Sequence, residues 1–280
     1  MNKSMTQSQK LMVFVLSMSL YGLATLFTEL IPSLQVGIVE FSIEYFIFIP
    51  IALAILFDPL SAALGAATGE IIFSEIMLGQ FGGLGELEKF VTITIAIYLA
   101  GRLVRDPKNV KNIACIALLA VAIQQLMGAT VDILKVQFAI EGFEAVPGLP
   151  ESVFFTEGFA CLNDIFFSGI FFSMIPTAYL VPRLHGKIEP LLGVKPRDRE
   201  TQLSGVKLSP KVIGICIMAF IVGIAGEFLS EVGIAIIDWE ASWAESGISI
   251  FMSMLLAGVI ITALVIKFKR RQANLEVMYD

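Results

Sequence analysis

The chain alternates between long apolar runs and short polar breaks. A helix needs about 20 predominantly apolar residues to cross the hydrocarbon core of a bilayer. Eight stretches meet that length: about 11–31, 38–57, 59–78, 87–105, 112–134, 152–181, 211–237 and 247–267. The first is too long for the apolar segment of a signal peptide and lacks a small-residue cleavage site, so it reads as a span. Only Asp58-Pro59 divides the second run from the third. An aspartate able to cap a helix, with proline at the first helical position, predicts a tight helical hairpin there. The stretch from Arg183 to Lys211 is charged and broken by Pro190, Pro196 and Pro210. It predicts a division into a six-span module (1–190), a linker (191–210), and a C-terminal two-span hairpin with a basic tail (211–280).

Composition sharpens this pattern. Apolar residues make up 56% of the chain and charged residues 16%, against roughly 45–50% and about 25% in soluble domains. A water-soluble globule is excluded, and the expectation is an all-α, multi-pass integral membrane protein. Placing the N-terminus in the cytoplasm puts basic residues at 3 and 10, at 102–111, at 183–211 and at 267–271 on the inner side. Of the 19 basic residues, only Lys89 and Lys135 then lie outside, as the positive-inside rule requires. Eight spans with both termini cytoplasmic follow.

The chemistry excludes several classes. His185 is the single histidine, so an HExxH zinc site or a bis-histidine haem site cannot be built. No GxxxxGK[ST] motif occurs, so the chain has no nucleotide-hydrolysing P-loop of its own. Cys115, Cys161 and Cys216 all sit in apolar runs and read as small hydrophobes. Without a nucleophile–base pair or a metal cluster, no enzyme, metal site, cofactor or nucleic-acid partner is expected.

Carboxylates inside spans are costly, about 2.5–3.5 kcal/mol each on insertion scales, so each requires a reason. Glu29 falls near the outer end of the first span, and Glu40 and Glu44 one turn apart in the second. Glu70 lies at mid-depth in the third, with Glu75 farther out. Asp132 is two turns beyond Gln125 in the fifth; in the sixth, Asp164 is two turns deeper than Glu157, beside Asn163. Glu227 and Glu231 are one turn apart in the seventh. These acids crowd the external half, where Lys89 and Lys135 have Glu86 and Asp132 as local partners. The pattern predicts an outward-facing polar pocket for a cationic or hydrogen-bond-donating solute. Gln124, Gln125, Asn163 and Tyr98 would add polar groups, and Phe154, Phe155 and Phe159 apolar walls. Four glycines between Gly79 and Gly85 predict a mobile loop at the outer edge; no strand precedes it, which removes the phosphate-cradle reading.

Ser61, Ala62, Ala63, Gly65, Ala66, Ala67 and Gly69 line the inner half of the third span. The pairs Ala62-x3-Ala66 and Gly65-x3-Gly69 predict close approach of another helix, from this chain or from another subunit.

The run Phe48-Ile-Pro50-Ile-Ala-Leu-Ala-Ile-Leu-Phe-Asp58-Pro59-Leu-Ser-Ala-Ala-Leu-Gly65-Ala-Ala-Thr-Gly69-Glu70 resembles the second and third helices of the substrate-binding S components of energy-coupling factor transporters. Ser173-Met-Ile-Pro176-Thr-Ala-Tyr-Leu-Val-Pro182-Arg183 is similar to the closing helix of that family. The likeness covers roughly residues 10–190. It implies a six-helix bundle in a prokaryotic cell membrane that binds a vitamin or other scarce solute from outside. It also implies docking, through small-residue faces, onto a transmembrane coupling subunit that carries two ATPases. On that scheme Gly22, Ala62, Gly65, Ala66 and Gly69 are docking positions, and Glu44, Glu75, Gln125, Asp132, Glu157, Asn163 and Asp164 face the solute. The chain departs from the pattern in its extra hairpin and in a first helix that offers only Ser19, Gly22 and Ala24 in place of an AlaxxxAla motif. The other open reading is a self-sufficient carrier coupled to H⁺ or Na⁺ through its intramembrane acids.

Overall fold

A computed structural model describes residues 5–31, 34–36, 39–41, 46–143, 146, 148–196, 209–232 and 239–240. The chain divides into two compact units, Met1–Trp239 and Glu240–Asp280, and the elements named below belong to the first. The architecture is all-α.

Helix α1 (Gln7–Glu29) starts at a capping box in which Thr6 and Gln9 satisfy each other's backbone N–H groups. Two short antiparallel strands follow, β1 (Leu34–Val36) and β2 (Val39–Phe41), with Leu34 opposite Phe41 and Val36 opposite Val39. Helix α2 (Phe48–Leu56) comes next and is short. The expected span over 38–57 is therefore replaced by a strand pair and a nine-residue helix. Val36-Gly37-Ile38-Val39 places β-branched residues around a glycine, which suits a hairpin better than a helix.

Asp58 caps α3 (Pro59–Glu70) as expected, accepting from the Ser61 N–H at 2.9 Å and the Ser61 hydroxyl at 2.7 Å, with Pro59 in the first turn. The helix continues as a π-helical segment, Ile71–Ile76. After the glycine-rich turn come α4 (Glu86–Leu103), α5 (Val110–Gln137) and α6 (Val153–Phe167). A second π segment, Ser168–Met174, joins α6 to α7 (Ile175–Leu184). Helix α8 (Pro210–Glu231) belongs to the same compact unit as α1–α7. Residues 247–267, the expected second arm of its hairpin, lie outside the described residues.

Among the described residues, four helical stretches are long and apolar enough to cross a membrane: Gln7–Glu29, Val110–Gln137, Val153–Leu184 and Pro210–Glu231. Their outer faces carry exposed large apolar side chains, among them Leu11, Leu126, Phe154, Phe166, Phe171, Ile215 and Met218. Exposed apolar area on this scale marks a surface made for a lipid or protein neighbour. These are the features of a membrane protein.

The core is formed mainly by α2, α3, α4 and α5. Ile51, Ile55 and Leu56 pack with Ala62, Ala63, Ala66 and Ala67, with Ile93 and Ile97, and with Ile113, Ala117 and Val121. Helix α1 closes on α3 through small residues: a methyl group at Gly65 would strike the Phe14 carbonyl oxygen, and one at Gly69 the Met18 carbonyl oxygen. The Ser17 hydroxyl donates to the Ala62 carbonyl at 2.7 Å across the same contact. The small-residue face expected to dock a partner subunit (Gly22, Ala62, Gly65, Ala66 and Gly69) is thus filled from within. Ala62 and Ala66 retain no exposed surface, and Gly22 meets Gly69 directly. Van der Waals packing at backbone distance is satisfied by α1, so these residues present no open face.

Gln9 Nε2 donates to the carbonyls of Leu192 and Gly193 at 3.2 and 2.9 Å. The start of α1 and the turn after α7 therefore share one end of the bundle. The polar cavity lies at the opposite end.

Candidate functional site

A cavity of about 800 Å³ opens between α1, the π segment of α3, α4, α5, α6 and α8. Its lining includes ten carboxylates: Glu29, Glu70, Glu75, Glu86, Glu88, Asp132, Glu157, Asp164, Glu227 and Glu231. Lys89 and Lys135 are the two basic side chains on the same wall.

Local winding explains how the acids converge. Glu75 stands five positions after Glu70, which in an α-helix would point them to different sides. Bonding to the fifth residue in the π segment stacks them on one face instead. On α5 the lining residues Gln124, Gln125, Gly128, Asp132 and Lys135 repeat at three and four, and on α6 Glu157, Ala160, Cys161 and Asp164 do the same. Each set forms one helical stripe.

Both lysines sit in carboxylate cages. Lys89 Nζ is 2.7 Å from Glu75 and 3.7 Å from Glu86; Glu86 also accepts the Gly82 N–H at 3.2 Å. Lys135 Nζ is 3.2 Å from Asp132, 3.2 Å from Glu141 and 3.3 Å from Glu227. The expected local pairs Lys89–Glu86 and Lys135–Asp132 are present, but each lysine also reaches an acid on another element.

Helix α8 completes the wall. A methyl at Gly226 would lie 3.0 Å from the Leu84 carbonyl oxygen and one at Gly223 3.3 Å from the Glu88 Cα, so these glycines let α8 settle against the start of α4. The Ser230 hydroxyl then donates to the Gly82 carbonyl at 2.8 Å. The glycine-rich turn is docked by α8, where the sequence predicted a mobile loop.

Of the expected solute-facing residues, Glu75, Gln125, Asp132, Glu157 and Asp164 line this one cavity. Asn163 does not line it; its amide lies 3.5 Å from the Asp164 carboxylate. Glu44 lies outside the described residues. Glu40, expected on a helix with it, stands instead in β2. Phe154 and Phe155 point outward from α6, and neither they nor Phe159, the expected apolar walls, line the cavity; Tyr98, expected to add a polar group, packs beneath the Arg102 guanidinium at 5.9 Å instead. Glu86, Glu88, Lys89, Thr28 and Thr92 also line the site, although the sequence did not single them out as facing a solute. The clustering of Glu86, Glu88 and Lys89 just after a glycine-rich turn was the available signal.

Four groups on the wall, Glu70, Glu86, Glu88 and Gln124, each keep one buried side-chain oxygen without a hydrogen-bond partner among the described residues; Glu70 and Gln124 are 6% and 7% exposed. Among those residues no three His, Cys, Asp or Glu side chains converge closely enough to hold a metal ion.

The chain belongs to a family of unknown function (DUF8171), whose profile matches residues 12–276. No curated protein and no solved structure matches it.

Proposed function

We propose that the protein captures a cationic small solute in this cavity from the external side of a cell membrane, as the membrane-embedded binding subunit of an ATP-driven importer. One observation carries the reading: carboxylates scattered over the sequence share a single hollow with only two lysines to balance them. Its volume lies within the range of ligand sites, roughly 300–1,000 Å³. The hairpin from Phe48 to Glu70, with its likeness to transporter S components, supports the importer assignment.

A second reading, a stand-alone carrier coupled to H⁺ or Na⁺, is favoured by the α1–α3 contact. That contact uses up the small residues which the importer scheme needs for docking. Reconstitution separates the two. Uptake that requires a co-purified coupling subunit and ATP supports the importer; uptake by this chain alone, driven by a pH or sodium gradient and indifferent to ATP, supports the carrier.

A further inference from the structure

The acceptors of the cavity stand in two tiers. On α5, Gln125 and Asp132 are seven residues apart, and so are Asp164 and Glu157 on α6. At 1.5 Å rise per residue each pair spans about 10 Å along its helix. Because α5 and α6 run in opposite directions, Gln124, Gln125 and Asp164 fall in the inner tier, and Asp132 and Glu157 in the outer one. Helix α3 adds Glu70 to the inner tier and Glu75 to the outer.

The tiers differ in what they already hold. In the outer tier, primary ammonium groups of the chain itself occupy the carboxylates: Lys89 against Glu75, and Lys135 against Asp132 and Glu227. The inner tier has no lysine or arginine among the lining residues. There the Glu70 carboxylate and the Gln124 carboxamide, both more than nine-tenths buried, each keep one acceptor oxygen without a hydrogen-bond partner among the described residues. A buried acceptor calls for a donor. A bare metal ion fits poorly, since the acids are spread over about 800 Å³ and no three converge among the described residues. An anion is opposed by every carboxylate on the wall.

We propose that the guest is an elongated organic dication, a linear di- or polyamine. One ammonium group sits against Glu70, Gln124 and Asp164, and the other joins the outer carboxylates beside Lys89 and Lys135. The proposal rests on the solute-binding reading above and names its ligand class.

The test is calorimetric titration of the full-length protein in lipid nanodiscs. The probes are α,ω-diamines of increasing length, the matching monoamines, magnesium chloride and riboflavin as a neutral solute. Affinity should peak for diamines whose nitrogens stand about 10 Å apart, and should exceed that of the matching monoamine by about tenfold or more, the weight of a second charge-assisted contact. Glu70→Gln should cost the diamine about tenfold and leave the monoamine nearly unchanged. If that variant does not fold, the length dependence in the native chain decides between the outcomes. Equal affinity for mono- and diamines, or tighter binding of magnesium, overturns the dication but leaves the cavity a solute site. Binding of riboflavin in place of the amines does the same. No heat from any probe overturns both the dication and the solute-binding reading.

Discussion

The stretches Ala62–Gly69 and Glu70–Ile76 belong to one continuous helix but meet different surroundings. The first is made of small residues, packs dry against α1 at backbone distance, and leaves Ala62, Ala63, Ala66 and Ala67 almost no exposed surface. The second changes its winding and turns two glutamates toward a hollow shared with five other elements. In the first, side chains were removed so that backbones could touch; in the second, polar side chains are held apart around open space. The rigid half fixes where the acids of the other half stand. Close packing on one side makes it possible to hold costly carboxylates at fixed positions on the other.

This contrast between packed and open halves predicts a descending series of effects on unfolding in detergent or bilayer. Gly65→Leu should be the most damaging, costing about 3 kcal/mol or abolishing folding, because the clash is with the Phe14 backbone and cannot be relieved by a rotamer change. Lys135→Met comes next, at about 2 kcal/mol, between the values for exposed and fully buried pairs, since Asp132 and Glu141 are half exposed while Glu227 is largely buried. Adding Glu227→Gln should recover part of that loss; a double-mutant cycle without coupling would show that the two halves of the wall are not joined through Lys135. Asp58→Ala removes the cap of α3 and should cost about 1 kcal/mol. Phe166→Leu, on the outer face of α6, should stay within about 0.5 kcal/mol. If Phe166→Leu proved as damaging as Gly65→Leu, the division into packed and outward-facing surfaces would be wrong.

Some of this architecture is legible in the residues alone. The Asp58-Pro59 corner follows from capping chemistry, and the long apolar runs mark α1, α5, the α6–α7 stretch and α8 close to their observed bounds. The second span differs because a 20-residue stretch of high hydropathy does not separate short apolar strands from a helix. The depth of the acids could be read from the sequence, since it depends only on distance along a span. Their convergence could not, for two physical reasons. Glu70 and Glu75 share a face only through π winding, which no apolar periodicity announces. Glu227 meets Lys135 across ninety-two residues of chain, through a glycine contact between α8 and α4 that spacing does not specify. The small-residue face was recognised as a place of close approach, and its partner proved to be α1.

Whether the hollow is open to the outside and negative can be measured with a single engineered thiol. Gly128 lines it, and a side chain added there meets no atom within 4 Å, so Gly128→Cys introduces a thiol without strain in a chain whose native Cys115, Cys161 and Cys216 are replaced by serine. Membrane-impermeant thiosulfonates of opposite charge, applied from outside, report the local potential through their reaction rates. A carboxylate-lined cavity predicts that the cationic reagent reacts about tenfold faster than the anionic one, with the gap narrowing at high salt. Equal rates, or reaction only with a neutral membrane-permeant reagent, would mean that no negative, outward-opening hollow exists.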